Sequence, residues 1–191
     1  MFRTYSELPD HYEAFMKIDM KEHKFEFFLI NFLSFIIFFL FVFVGLGLLE
    51  ASFRLTIWGL MGFMVGSIIY IFVHEIIHAI FFKIKNRVKV KYKFHGFFAS
   101  ASVPGVYYQK YHFLMISIAP LVLLSLTLLP FLIFLSGGIF YVFYFIFAIH
   151  LSGCSGDIYV FIRTILLPKD ALMEDYGVGM RFYRPRKERL S

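Results

Sequence analysis

Residues 27–49 form a Phe-rich, almost wholly apolar run without a single Asp, Glu, Lys or Arg, and further long apolar runs follow at residues 56–82, 113–135 and 139–162. A hydrocarbon core about 30 Å thick takes around 20 residues of helix to cross, so each run is long enough to span a bilayer. Lipid offers no partner to a backbone N–H or C=O, and uninterrupted runs of this length therefore read as helices. Composition agrees. Of 191 residues 60% are hydrophobic, 28 are Phe and only 17% are charged, more apolar surface than one small water-soluble core hides. The same figures exclude a disordered chain, a collagen-like repeat and a disulfide scaffold, since Gly numbers 13, Pro 6 and Cys154 is the one cysteine. The first run starts too far in and runs too long for a cleaved signal peptide.

Formal net charge is +6, and where the charges lie says more than their sum. Lys83, Lys85, Arg87, Lys89, Lys91, Lys93 and Lys110 fall between runs two and three, and Lys169, Arg181, Arg184, Arg186, Lys187 and Arg189 follow run four. Arg54 is the lone basic residue between runs one and two, and Ser136-Gly137-Gly138 joins the last two without charge. By the positive-inside rule both termini and the central loop are cytoplasmic. The basic stretches match no nucleic-acid module, so the bilayer is the expected partner and nucleic acid is not. Absence of disulfides and targeting signals fits a bacterial plasma membrane.

Within the central loop, residues 88–94 alternate apolar and basic side chains, the period of a half-buried strand; Gly96 offers a turn, and residues 97–103 return to Pro104-Gly105. The expected fold is therefore an all-α integral membrane protein: four transmembrane helices with a short cytoplasmic β-hairpin between helices two and three. An amphipathic cytoplasmic segment, residues 1–26, precedes the four-helix membrane unit, residues 27–167, and a basic cytoplasmic tail, residues 168–191, follows it.

The second run ends in His74-Glu75-Ile76-Ile77-His78. Positions i and i+4 of a helix face the same way, so both imidazoles can reach one metal ion, and the adjacent Glu75 can take a proton from water bound there. Ionisable side chains at this depth persist when paired, metal-bound or facing a polar cavity. A catalytic zinc takes a third protein ligand. At 1.5 Å per residue His74 and His78 lie roughly 8–14 Å above Lys83, and Asp157 about 9 Å above Arg163, whereas His150 lies about 20 Å above Arg163. Depth thus favours Asp157, within the Gly/Ser-rich interruption Ser152-Gly153-Cys154-Ser155-Gly156. Broken helices are tolerated in a membrane where protein or a water-filled cavity satisfies the freed backbone. Cys154, a soft ligand, and His112, at the start of run three, remain alternatives. Pro120 and Pro130 kink run three and open room beside the site.

These residues resemble the membrane zincin peptidases, small four-span metalloproteases distantly similar to site-2 proteases. The resemblance runs from about residue 56 to 167 and is carried by His74-Glu75-x-x-His78, Ala119-Pro120 and Gly156-Asp157. It implies Zn2+ held by His74, His78 and Asp157, with Glu75 as catalytic base, on a core of three membrane helices preceded here by an extra one. Site-2 proteases place an Asn before the aspartate to help hold the substrate or its oxyanion; here His150 and Ser152 occupy that neighbourhood and become candidate substrate-binding residues. Residues 88–103 look like the hairpin that in those enzymes receives an unwound substrate strand, which makes Val90 and Tyr92 candidate contacts. The expected activity is a membrane-embedded zinc endopeptidase acting on membrane-spanning or membrane-adjacent polypeptides. The alternative is a non-proteolytic zinc-binding membrane protein, an inactive zincin with a client or a metal transporter.

Overall fold

A computed structural model describes residues 4–19, 22–47, 56–84, 88–94, 99–177 and 179–186. The elements in chain order are β1 (Thr4–Tyr5), β2 (Tyr12–Asp19), α1 (Lys24–Gly47), α2 (Ile57–Lys83), β3 (Lys91–Phe94), β4 (Ala99–Ser102), β5 (Tyr107–Gln109), α3 (Lys110–Phe134), α4 (Gly137–Gly153), α5 (Ser155–Ile165), β6 (Leu172–Asp175) and β7 (Gly179–Pro185). Counting α4 and α5 as one interrupted span, four helices are long and apolar enough to cross a membrane. Their outer faces carry Phe43, Trp58 and Phe134 at 76%, 77% and 83% exposure. So large an exposed apolar surface is a liability in water and ordinary in lipid.

The expected hairpin forms: β3 pairs antiparallel with β4, Lys91 opposite Ser102 and Phe94 opposite Ala99. Its turn at Gly96, with Arg3, Lys21, Arg54, Lys85, Arg87, His95, Lys187 and Arg189, lies outside the described residues. The all-α expectation needs correction, because the chain is mostly helical but adds an antiparallel five-stranded sheet in the order β1-β5-β6-β7-β2. Both ends of the chain build it. The sequence hides these strands for physical reasons. A bulge between Ala14 and Met16 interrupts β2, so neighbouring Phe15 and Met16 both pack on the core and the period of two is lost. In β6, Leu172, Met173 and Glu174 are all buried, so a central strand shows no alternation.

The sheet gathers one end of the bundle. Its core of Val103, Tyr108, Met173 and Phe182 continues into Phe82 of α2, Phe113 and Ile116 of α3 and Val160 of α5. The buried Tyr108 hydroxyl donates to the Phe82 carbonyl at 3.2 Å, at the end of α2. Lys110, opening α3, donates to the carbonyls of Ile165, the last residue of α5, and of Leu167 beyond it, satisfying groups a helix C-terminus leaves unpaired. Glu26 at the start of α1 accepts from the Tyr159 hydroxyl at 2.6 Å. Within the apolar bundle, α1 is held to α4 by Ser34 Oγ donating to the Ser152 carbonyl (2.9 Å) and Tyr144 Oη donating to the Phe41 carbonyl (2.7 Å). Hydrogen bonds and close packing hold helices where lipid supplies no hydrophobic drive.

Candidate metal centre

Tyr70, His74, His78 and Phe82 recur every fourth residue and share the inward face of α2. Asp157 comes from the first turn of α5, just past the break at Cys154. Three side chains then meet. The Nε2 atoms of His74 and His78 are 3.2 Å apart, and the Asp157 carboxylate straddles them, Oδ2 3.1 Å from His74 and Oδ1 3.3 Å from His78.

The far sides of the rings fix what these atoms carry. His78 Nδ1 stands 3.0 Å from the Ile116 carbonyl, which can only accept, so Nδ1 holds the proton. His74 Nδ1 lies 3.3 Å from the Tyr70 hydroxyl, which also lies 3.5 Å from the His150 carbonyl and can accept from the ring while donating to that carbonyl. Gly153 leaves room for this bond, since a Cβ there would stand 3.2 Å from the Tyr70 oxygen. With a proton on each Nδ1 and none on Nε2, both Nε2 atoms present lone pairs to each other and to a carboxylate. Asp157 Oδ2 is buried with no hydrogen-bond partner among the described residues; the 3.1 Å approach of His74 lacks hydrogen-bond geometry.

Three converging lone-pair donors repel one another unless a cation lies between them. Zinc bound tetrahedrally at about 2.0–2.2 Å sets its ligand atoms about 3.3–3.6 Å apart, within a few tenths of an ångström of the separations here. The donor set fits zinc.

A second group, His74, His150 and Cys154, also brings potential ligand atoms within 4.8 Å of one another. Its contacts pair donors with acceptors. His150 Nε2 reaches the Leu121 carbonyl and Ser125 Oγ at 3.3 and 3.0 Å, while Nδ1 faces Cys154 Sγ at 3.6 Å. His150 stands at the level of Tyr70, one turn beyond His74, as the count of rise places it: its ring lies 5.6 Å from that of Tyr70, and side-chain reach brings a ring nitrogen within 4.8 Å of one on His74.

A cavity of about 460 Å³ surrounds the centre and takes in Glu75 with His74, His78 and Asp157. Asn31 and Ser34 of α1, Ala99 to Ala101 of β4, and Asp175 at the end of β6 complete its wall. A larger groove of 560 Å³ between α1, α2 and α4, lined by Phe38, Trp58 and Phe145, contains no His, Cys, Asp or Glu. The residues expected to touch substrate lie elsewhere. His150 is fully buried, Ser152 is buried with its hydroxyl donating to the Ile149 carbonyl, Val90 packs on the sheet core, and Tyr92 is exposed. None of the four lines the cavity. His112 is buried against the Phe81 carbonyl at 3.0 Å.

Asp175 escapes a reading of sequence because nothing near it signals a site; a strand brings it there. Gly177, at φ 94°, turns the chain after it and donates its N–H to Asp175 Oδ1 at 2.8 Å. Desolvation pushes the Asp175 carboxyl up to about 7; the Gly177 N–H and His78 oppose the rise, and Glu75 and Asp157 add to it. The folded value lies above the ordinary 3.8, so the folded state holds the proton more tightly and stability falls as pH rises from about 4 to about 7. Asp175→Asn should therefore raise the Tm of the metal-free protein at pH 8 and leave it unchanged at pH 4, as read by thermal unfolding in detergent.

The chain matches no curated protein and no solved structure. Over residues 67–172, which take in His74, Glu75, His78, the hairpin, α3 and Asp157 and make up more than half of the chain, it matches the family model described as "Putative zincin peptidase", and the chain belongs to that family.

Proposed function

We propose that the protein is a membrane-embedded zinc endopeptidase in which His74, His78 and Asp157 hold the ion and Glu75 is the general base. The observation that carries this reading is the meeting of three lone-pair donors within 3.1–3.3 Å of one another, beside a carboxylate that is not one of them. A zinc ion held there supplies Lewis acidity, polarising a peptide carbonyl and lowering the pKa of water toward about 7.

The chain's own groups do the rest. Glu75 lines the cavity next to His74 and accepts a proton from water as the water oxygen bonds to the carbonyl carbon. As the C–N bond breaks, Glu75 passes that proton to the leaving nitrogen, giving a carboxyl and an amine. The Ile116 carbonyl and Tyr70 hydroxyl keep both imidazoles oriented through the cycle.

Substrate specificity follows from the walls. In the two-stranded sheet β4 has β3 on one side, and its residues Ala99 to Ala101 border the cavity. An extended substrate segment can add along the other edge of β4 and bring a peptide bond to the centre, which helical segments cannot do because their backbone is already paired. The basic residues Lys83, Lys89, Lys91, Lys93 and Lys110 cluster at this end of the bundle, which we read as the cytoplasmic face. Membrane-spanning or membrane-adjacent polypeptides are the proposed substrates.

Glu75→Gln should retain zinc by elemental analysis and lose cleavage by about 10²–10⁴-fold; turnover at the wild-type rate removes Glu75 from the mechanism. Tyr92→Pro, which places a proline inside β3 opposite Ala101, should slow cleavage of helical membrane substrates more than of unstructured peptides. Equal losses on the two substrates would contradict strand addition.

A further inference from the structure

We propose that Pro120 is a positioning residue of the metal centre: its missing N–H leaves the Ile116 carbonyl as the acceptor that orients His78. The inference rests on the zinc reading above and assigns a task to a residue that touches neither the metal nor the substrate.

In an α-helix the carbonyl of residue i is taken by the N–H of residue i+4. For Ile116 in α3 that donor position is Pro120, which has no N–H and whose ring pushes the i−4 carbonyl outward. Ile116 and Pro120 are both buried, so the released carbonyl finds its partner within the protein. His78 Nδ1 takes it, at 3.0 Å across the α2–α3 contact. Because a carbonyl only accepts, the bond places the proton on Nδ1, and the lone pair of Nε2 points at Asp157. An alanine at position 120 would return an N–H to the helix ladder and draw the Ile116 carbonyl back along the helix axis, away from His78.

The same helix contains a matched control. Pro130 interrupts α3 in the same way, releasing the carbonyl of Leu126, but both residues lie on the exposed face, with Leu126 64% accessible. The ligand histidines make their Nδ1 contacts elsewhere, with the Tyr70 hydroxyl and the Ile116 carbonyl. A role in merely bending α3 would belong to both prolines, and a role in orienting a ligand belongs to Pro120 alone.

The test uses full-length protein in detergent carrying Glu75→Gln, so that cleavage plays no part. Zinc affinity is measured by competition with a chelator, the Tm of the metal-free form is recorded, and the histidine tautomers are read by ¹⁵N NMR. Pro120→Ala should weaken zinc binding about 10–100-fold, the usual cost of losing an outer partner of a ligating histidine. It should also mix the tautomers of His78 while leaving the metal-free Tm unchanged or higher, because a helix hydrogen bond is restored. Pro130→Ala should leave affinity and tautomer as they were. Unchanged affinity in Pro120→Ala, equal losses in the two variants, or a loss of affinity that tracks a fall in metal-free Tm would each overturn the assignment. Absence of zinc binding in the Glu75→Gln parent would instead overturn the metal reading itself, and the role of Pro120 with it.

Discussion

A polar group inside a hydrocarbon layer has no water to turn to, so each one must find a partner or a charge within the protein. The organisation of this chain around α2 follows from that constraint. His74 and His78 bring two imidazoles to bundle depth. Each has its Nδ1 side tied to an oxygen, the Tyr70 hydroxyl in one case and the Ile116 carbonyl in the other. The Nε2 sides are left facing Asp157, and among the described residues no hydrogen-bond donor reaches Oδ2. The unmet need is for positive charge. His150, Cys154 and Ser125, at similar depth, meet the constraint differently, by pairing donors with acceptors among themselves and with the Leu121 carbonyl. Two clusters sharing His74 thus answer one physical demand in two ways, and the cluster that stays electrostatically incomplete is the one beside Glu75.

The sheet gives that centre its walls. Strands from both ends of the chain meet in one layer; the layer grips the end of α2 through Tyr108, and Lys110, where β5 runs into α3, holds the end of α5. The part of the chain that matches the family model brings the histidines, Glu75, the hairpin and Asp157. Asn31 and Ser34 of α1 and Asp175 of β6, which lie outside that part, close the cavity around them. The family-matching stretch thus supplies the chemistry and much of the wall, and segments on either side of it add the rest.

Much of this was legible in the sequence where the signal is local. Four long apolar runs announce four long apolar helices, because a single periodic pattern decides the outcome over many residues. His74-Glu75-x-x-His78 is legible for the same reason, since helix geometry alone puts the two imidazoles on one face. The hairpin is legible because Val88 to Phe94 alternates. The five-stranded sheet was not, because a bulge breaks the period of β2 and burial on both faces removes it from β6. Asp175, Asn31 and the link from Pro120 through Ile116 to His78 were illegible for a further reason: each depends on contacts between residues far apart in the chain.

The central claim is that His74, His78 and Asp157 form one three-ligand zinc site, and elemental analysis of detergent-purified protein tests it most directly. Wild-type protein should contain one zinc per chain, and His74→Ala and Asp157→Ala should each lose it. Wild-type protein free of zinc after purification without chelators, or zinc retained in full by Asp157→Ala, would contradict the account.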